Sequence, residues 1–195
     1  MTGIIILAAG NSSRLGQPKQ LLPYKDDTLL QHIIAEAAVI KDTVLIVVTG
    51  ANHELIENGI AASKVKTAFN HDWELGMSSS INKGLSELLQ SNPEIEKCIV
   101  AVCDQPFVSH SVFENLITEY DVTGKGIVAS TYAETFGTPV LFDKKYFDDL
   151  LDLKGQEGAK KVITRFLDDT ASIPFEKGNI DIDTEEDYNK LISGL

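Results

Sequence analysis

The sequence predicts an α/β fold with a three-layer, Rossmann-like, mostly parallel sheet and helices on both faces. Three observations support this prediction. Short runs rich in Ile, Val and Leu recur without polar alternation, amphipathic stretches separate them, and the two kinds of segment alternate up to residue 131. Strands that are covered on both faces lack alternation, and successive strand–helix–strand units form a parallel sheet with right-handed crossovers.

The strongest strand candidates are three apolar runs, at residues 3–9, 44–49 and 98–103, and weaker candidates lie at 65–69 and 126–131. Amphipathic helices are expected between the strands, over residues 28–40, 52–60, 77–89 and 109–120. Asp26 and Asp27 are the expected caps of the first helix, and Asn52 is the expected cap of the second.

After Phe136 the pattern changes. A short strand to Phe142 is expected, followed by helices near residues 145–151 and 158–167, extended segments near 172–175 and 179–182, and a last helix from Thr184. Because we find no repeat, low-complexity tract or linker, we expect one domain to account for residues 1–195.

The charge balance argues against some classes of partner. Seventeen Lys and Arg side chains against 29 Asp and Glu give a net charge of −12, so binding of nucleic acid or of an anionic membrane surface is not expected. The charge is uneven, because residues 1–25 contain Arg14, Lys19 and Lys25 and no acidic side chain. A local basic cluster of this kind can still bind a phosphate ligand.

Targeting and membrane segments are not expected. The apolar run at residues 4–9 follows no basic region, and no stretch approaches the roughly 20 apolar residues that span a bilayer. Cys98 and Cys103 lie five residues apart in one predicted strand, which places their side chains on opposite faces. We therefore expect two free thiols and a reducing cytoplasm. The four histidines lack the spacing of metal ligands.

The loop after the first strand has the composition of a phosphate site. Ligands of open α/β sheets bind beyond the carboxyl ends of the strands, and residues 7–19 there are LAAGNSSRLGQPK. This is neither a P-loop nor a G-x-G-x-x-G fingerprint. Its small residues nevertheless allow a ligand to approach the backbone, and Arg14 and Lys19 supply positive charge.

Four segments, in order along the chain, resemble one family. Residues 7–19 resemble the signature L-A-(A/G)-G-x-S-x-R-x-G-x-x-K of nucleotidyltransferases with the glycosyltransferase-A-like fold, and the following QLLPY is similar to the molybdenum cofactor cytidylyltransferase family. NHDWELGMSSSI at 70–81, CDQPFV at 103–108 and DIDTEEDY at 181–188 are similar to later segments of that family. The resemblance covers nearly the whole chain.

Two positions depart from the family pattern. Glu185 stands where the family usually has Pro, which should matter little because Pro there only suits an early helical position. Gln156, in the segment GQEGA, stands where Asp is usual. Because of this difference, no catalytic role is carried over to position 156.

The resemblance implies a nucleotide site at the mouth of the sheet. It assigns nucleotide contacts to eight residues: Leu7, Ala8, Ala9, Gly10, Arg14, Lys19, Ser80 and Asp104. Among these it gives catalytic roles to Arg14, Lys19 and Asp104. Lys19 would lie near the α-phosphate, and Arg14 nearer the leaving pyrophosphate. Ser80 would lie near the base or the ribose.

The resemblance also implies Mg²⁺, bound by Asp104 and Asp183. Both residues have simpler explanations, since Asp104 could begin a turn and Asp183 could cap the last helix. Asp181 is a second candidate, because alternation along an extended segment places it on the same face as Asp183. Trp73 and the GTPV segment at 137–140 lie near the acceptor in the family, although core packing and a turn explain them as well.

The implied reaction transfers CMP from CTP to the terminal phosphate of the molybdopterin cofactor and releases pyrophosphate, with a molybdoenzyme as a candidate recipient of the product. The pair Ala8-Ala9 resembles cytidylyl-transferring members, whereas Ala-Gly is usual in relatives that use guanine nucleotides. Three alternatives stay open: a guanylyltransferase for the same cofactor, a nucleotidyltransferase for a sugar or alcohol phosphate, and a non-catalytic carrier that binds nucleotide or cofactor.

Overall fold

The computed structural model describes residues 1–194, which form nine strands and seven α-helices. The strands are β1 (Thr2–Ala8), β2 (Pro23–Tyr24), β3 (Asp27–Thr28), β4 (Thr43–Thr49), β5 (Lys66–Phe69), β6 (Lys97–Val102), β7 (Ile127–Tyr132), β8 (Thr135–Asp143) and β9 (Thr170–Pro174). The helices are α1 (Leu29–Ala38), α2 (His53–Ile60), α3 (Met77–Ser91), α4 (His110–Thr123), α5 (Phe147–Leu151), α6 (Ala159–Arg165) and α7 (Glu185–Ser193).

Seven strands form one sheet in the order β5-β4-β1-β6-β8-β7-β9. All neighbouring pairs are parallel except the two that involve β8, which is antiparallel to both β6 and β7. The short β2 and β3 form a separate antiparallel pair. The predicted α/β fold, with a mostly parallel sheet, is therefore confirmed. That residues 1–195 form one domain stays a prediction.

The sheet is covered on both faces, which explains why its central strands lack polar alternation. In β1, Ile4 and Ile6 pack into the core that includes α1, α2 and α4, whereas Ile5 and Leu7 pack into the core that includes α3, α5 and α6. Burial on both sides removes the selection for polar side chains at every second position. The strand candidates at 65–69 and 126–131 also exist, as β5 and β7.

Cys98 and Cys103 lie in opposite cores, as the odd spacing predicts. Both are free thiols and both are buried. Burial raises the pKa of both thiols, and for Cys103 the neighbouring Asp104 carboxylate raises it further, to about 12. Both cysteines are therefore protonated core residues. No helix within residues 1–194 has the length and apolar character of a membrane span.

Three local predictions are wrong in whole or in part. Helix α1 is capped by Thr28, not by Asp26 or Asp27, because the Thr28 side chain accepts from the backbone N–H of Gln31 and the Gln31 side chain accepts in return. Asn52 occupies the N-cap position of α2 as predicted, but its backbone is left-handed and its side chain does not make the expected capping hydrogen bond. Residues 179–182 are irregular and not extended strand, so the alternation argument for residues 181 and 183 does not apply.

The arrangement of β1, β6 and α3 positions the site. Leu7 pairs with Val102 at the carboxyl ends of β1 and β6, so the loops that follow these two strands leave the sheet side by side. Helix α3 packs closely on β1, because a Cβ placed at Gly84 would lie only 2.5 Å from Cγ2 of Ile5. This close approach brings the N-terminal turn of α3, with Ser80, to the same edge of the sheet.

Candidate active site

A cleft of about 520 Å³ opens at the carboxyl edge of β1 and β6. Seven of the eight residues with implied nucleotide contacts line it: Leu7, Ala8, Ala9, Gly10, Lys19, Ser80 and Asp104. Trp73 and Gln156 also line it, and Trp73 is half-buried in the cleft wall rather than packed in the core. Arg14 does not line the cleft, and its side chain is 68% exposed.

Lys19 connects the two carboxylates that the resemblance assigns to a metal. Its Nζ lies 2.5 Å from Oδ2 of Asp104 and 2.8 Å from Oδ1 of Asp183. Arg14 reaches the same group from the solvent side, since its Nη2 lies 2.9 Å from Oδ2 of Asp183. Residues separated by up to 169 positions thus form one ion-pair network.

The network favours the charged forms of Lys19 and Asp183. Burial alone would lower the pKa of Lys19, but the charge of Asp104 and hydrogen bonds to Asp104 and Asp183 outweigh it and raise that pKa above its ordinary value. The hydrogen bond from Lys19, assisted by its charge and that of Arg14, lowers the pKa of Asp183. A positively charged ammonium therefore lies between the carboxylates at neutral pH.

Asp181 lies outside this network. Asp181 is an exposed residue, but partial desolvation of its carboxyl group, followed by the charges of Asp104 and Asp183, raises its pKa to about 6. Its side chain lines a different cavity, beside Tyr24 and Phe107. By contact geometry, Asp183 is thus the carboxylate that Lys19 joins to Asp104.

The shape of the loop after β1 depends on Gln20, a residue that the sequence analysis did not single out. Gln20 is fully buried, and its Nε2 donates to the carbonyl oxygens of Ala8 and Gly10 at 2.9 Å each. The Oγ of Ser12 accepts from the backbone N–H of Lys19 at 3.0 Å. These contacts hold the two ends of the loop together. The only sequence signal was the position of Gln20 directly after Lys19 in the family-like segment.

Backbone contacts determine where Asp104 and Asp183 lie. The N–H of Ile182 donates to the carbonyl oxygen of Asp104 at 3.0 Å, which places Asp183 beside the end of β6. Next to Asp104, the buried Gln105 donates to the carbonyl oxygen of Gly178 at 2.7 Å and accepts from the hydroxyl of Thr138 at 3.2 Å. Gln105 therefore connects β6 to the segment that carries Asp183 and to β8, and the GTPV segment contributes to this brace rather than to the cleft wall.

The turn before α3 packs against the segment that contains Gln156. Gly76 has φ +114, and a Cβ there would lie 2.3 Å from the carbonyl oxygen of Gly155. That same oxygen accepts from the backbone N–H of Ser78 at 3.2 Å and from its hydroxyl at 2.8 Å. Only glycine fits position 76, both for its conformation and for this close approach.

At the other wall of the cleft, Ala9 packs tightly beside Gly50. A Cβ at Gly50 would lie 2.8 Å from Cβ of Ala9 and 2.7 Å from Cβ of Trp73. The N–H of Ala51 also donates to the carbonyl oxygen of Ala9 at 3.0 Å. The close approach of Gly50 and the hydrogen bond to Ala51 therefore fix the position of Ala9, which lines the cleft.

Residues 4–170 match the model of the MobA-like NTP transferase domain family. The chain belongs to this family. MobA-like NTP transferases are nucleotidyltransferases, so the loop, the cleft and the ion-pair network described above belong to an enzyme of that class.

Similar proteins span almost the full length of this MobA-like NTP transferase. The molybdenum cofactor cytidylyltransferase of Escherichia coli (strain K12) is 24% identical over 186 residues, which is 94% of this chain and 92% of that protein. The crystal structure of an Rv0371c homologue from Mycobacterium sp. strain JC1 is 30% identical and has a TM-score of 0.86, covering 99% of this chain and 96% of that chain.

A divalent metal fits the donor set of this MobA-like NTP transferase. Oδ1 of Asp104 is buried and has no hydrogen-bond partner within residues 1–194, while Oδ2 contacts Lys19. Mg²⁺ and Mn²⁺ favour carboxylate oxygens and commonly use one or two of them together with substrate phosphates. Rv0371c from Mycobacterium tuberculosis H37Rv, 25% identical with a TM-score of 0.80 and covering 100% of this chain and 99% of that one, is described in complex with manganese.

Proposed function

We propose that this nucleotidyltransferase transfers CMP from CTP to the terminal phosphate of the molybdopterin cofactor and releases pyrophosphate, with Mg²⁺ as its metal. The observation that carries the proposal is the contact of one ammonium, Lys19, with both Asp104 and Asp183 beside a cleft of small residues. This arrangement combines positive charge with two carboxylates, which is what a metal-bridged polyphosphate requires.

The same cations can bind the carboxylates or the substrate. A triphosphate carries more negative charge than Asp104 and Asp183 together, so Lys19 and Arg14 would turn to it and release the carboxylate oxygens. Mg²⁺, when bound to these oxygens, supplies positive charge at the phosphates. The position of Lys19 in the cleft supports a role at the α-phosphate. The position of Arg14 at the solvent side supports a role at the departing pyrophosphate.

The chemistry needs no activated side-chain nucleophile. An oxygen of the acceptor's terminal phosphate attacks the α-phosphorus of CTP, a new P–O bond forms, and the bond between the α-phosphorus and the oxygen bridging to the β-phosphate breaks. Pyrophosphate leaves with the electron pair of that bond. The enzyme residues contribute by holding the two phosphates close together and by stabilising the charge that develops on the leaving group.

The side chain of Ala9 in the cleft supports a pyrimidine nucleotide over a purine nucleotide. The methyl group of Ala9 lies beside Gly50 and Trp73. Compared with glycine at position 9, it reduces the space next to residues 8–10 by one carbon. A change of one methyl group typically alters discrimination by about 1–3 kcal/mol. We therefore propose CTP over GTP, with guanylyl transfer as the outcome that the nucleotide panel below tests.

The proposed acceptor is argued from a similar protein and from the lining of the cleft. The name of the E. coli relative supports the molybdopterin cofactor, whereas Gln156 lines the cleft in place of the Asp usual in the family. This substitution favours testing sugar and alcohol phosphates beside the cofactor. We further propose that residues 1–195 form one domain, and that the protein works in a reducing cytoplasm, which its two buried free thiols support.

Identification of the product by mass tests the proposal most directly. The protein is incubated with CTP, Mg²⁺ and molybdenum cofactor, and we expect a cytidine dinucleotide of the cofactor together with pyrophosphate. A parallel thermal-shift panel with CTP, GTP, ATP and UTP tests the base, and stabilisation by GTP alone would contradict the cytidylyl assignment. Binding of CTP and cofactor without release of pyrophosphate would instead indicate a non-catalytic carrier.

A further inference from the structure

Asn70 directs two serine hydroxyl groups at the start of α3. It directly follows β5 and is buried, with 4% of its surface exposed. Its Oδ1 accepts from the backbone N–H of Asp72 at 3.0 Å, and this contact determines the orientation of the amide. The Nδ2 group must then face the helix, where it donates to Oγ of Ser79 at 2.9 Å and to Oγ of Ser80 at 3.0 Å.

The two serines differ in what they can do with their own protons. Ser79 donates to the carbonyl oxygens of Asp72 and Gly76, at 2.9 and 2.8 Å, and it lines a second cavity on the far side of the turn. Ser80 lines the cleft, is buried to 95% and accepts from Asn70. Its hydroxyl makes no donated hydrogen bond to another of the described residues, so its proton is available to a group in the cleft.

We propose that Asn70 is a positioning residue that makes Ser80 a hydrogen-bond donor toward the nucleotide base. Because both hydrogens of Nδ2 point at the serines, Ser80 Oγ always receives one and must give its own hydrogen to the cleft. The site then selects a base that presents an acceptor, such as a pyrimidine carbonyl, at this place and disfavours one that presents an N–H group. This inference rests on the proposed nucleotide-binding function.

The exchange Asn70→Asp reverses the direction of the hydrogen bond between residue 70 and Ser80, with almost no change in the shape of the side chain. The introduced carboxylate can still accept from the N–H of Asp72 but has no hydrogen to donate, so the Ser80 proton turns inward to it. The cleft then presents a lone pair where it presented a hydrogen. A mismatched polar pair of this kind costs a bound base more than a missing contact does.

The experiment compares two ligands that differ in whether they carry a nucleoside. Isothermal titration calorimetry with Mg²⁺ measures the Kd of CTP and of inorganic tripolyphosphate for wild type, Asn70→Asp, Ser80→Ala and the double variant. We expect Asn70→Asp to weaken CTP about tenfold more than it weakens tripolyphosphate. The added negative charge acts on both ligands, so the ratio isolates the nucleoside part of CTP, which is the base together with its ribose. Ser79→Ala, which alters a serine on the same amide but outside the cleft, should leave the ratio unchanged.

The double variant separates positioning from general damage. If Asn70 acts through Ser80, the effect of Asn70→Asp on the CTP-to-tripolyphosphate ratio disappears in the Ser80→Ala background. An equal loss for both ligands, or an undiminished effect in that background, would overturn the inference. Should Asn70→Asp not fold, Ser80→Ala alone must weaken CTP selectively. Failure of wild type to bind any nucleoside triphosphate would refute the proposed function, whereas normal CTP binding by Asn70→Asp would refute only this inference.

Discussion

The ammonium of Lys19 lies 2.5 Å from the carboxylate of Asp104, a residue 85 positions away in the sequence. The same ammonium contacts Asp183 at 2.8 Å. The cation proposed to bind the substrate is thus paired with the carboxylates proposed to bind the metal. Binding of a metal and binding of a triphosphate should therefore be coupled. The triphosphate attracts the Lys19 ammonium away from the carboxylates, and that ammonium otherwise competes with the metal for them.

Removal of the ammonium should strengthen metal binding in the absence of nucleotide. In Lys19→Met the carboxylates of Asp104 and Asp183 have no lysine to share, so we expect Mn²⁺ to bind about tenfold tighter than to wild type, as measured by titration followed by electron paramagnetic resonance. Turnover with CTP should nearly vanish in the same variant. Lys25→Met, which removes an exposed lysine, is the control. Equal Mn²⁺ affinity in Lys19→Met and wild type would show that the lysine does not compete.

Neutralising Asp104 should abolish nucleotidyl transfer while the fold persists. Asp104→Asn keeps the shape of the side chain but lowers its affinity for a divalent cation, and we expect pyrophosphate release to fall by a factor of about a thousand. Circular dichroism and thermal unfolding check the fold. Asp26→Asn changes an exposed carboxylate outside the cleft and should behave as wild type. Unchanged turnover in Asp104→Asn would eliminate Asp104 as a metal ligand.

Gln20 should matter for both stability and nucleotide affinity. Gln20→Leu leaves the carbonyl oxygens of Ala8 and Gly10 without their donor, and each buried unpaired group costs about 1–3 kcal/mol. We expect the free energy of unfolding in urea to fall by about 2–4 kcal/mol and the Kd for CTP to rise. Gln17→Leu makes the same exchange at an exposed position of the same loop and should stay within about 0.5 kcal/mol of wild type. Similar stability losses in the two variants would contradict the role of Gln20 in holding the two ends of the loop together.

Asp181 should make the metal-free protein less stable as the pH rises. Its pKa is about 6 in the folded protein against an ordinary value of 3.8, so the folded state binds more protons than the unfolded chain between these pH values. The free energy of unfolding therefore decreases as the pH rises through this window. Asp181→Asn should resemble wild type below about pH 4 and have the higher Tm above about pH 6. A Tm difference that is constant with pH would contradict this assignment.

Most of the fold could be predicted because its strands have a local cause. The runs that became β1, β4 and β6 are apolar on both faces, and burial on both faces is a property of each strand that its own composition reports. Residues 179–182 show where this fails. The N–H of Ile182 donates to the carbonyl oxygen of Asp104 rather than to a neighbouring strand. A partner 78 positions away in the sequence leaves no local pattern.

Local sequence patterns were sufficient to predict the α/β fold, the opposite placement of Cys98 and Cys103, and the basic loop that contains Lys19, because strand periodicity and motif composition are local. Which side chains meet depends on the folded chain. The tertiary structure joined Lys19 to Asp104 and Asp183, excluded Asp181 from that network, and directed Gln20 and Asn70 toward the loop and Ser80. Hydrogen bonds of these kinds depend on distance and orientation in the folded chain, and parallel strands bring together at one edge residues that the sequence keeps far apart.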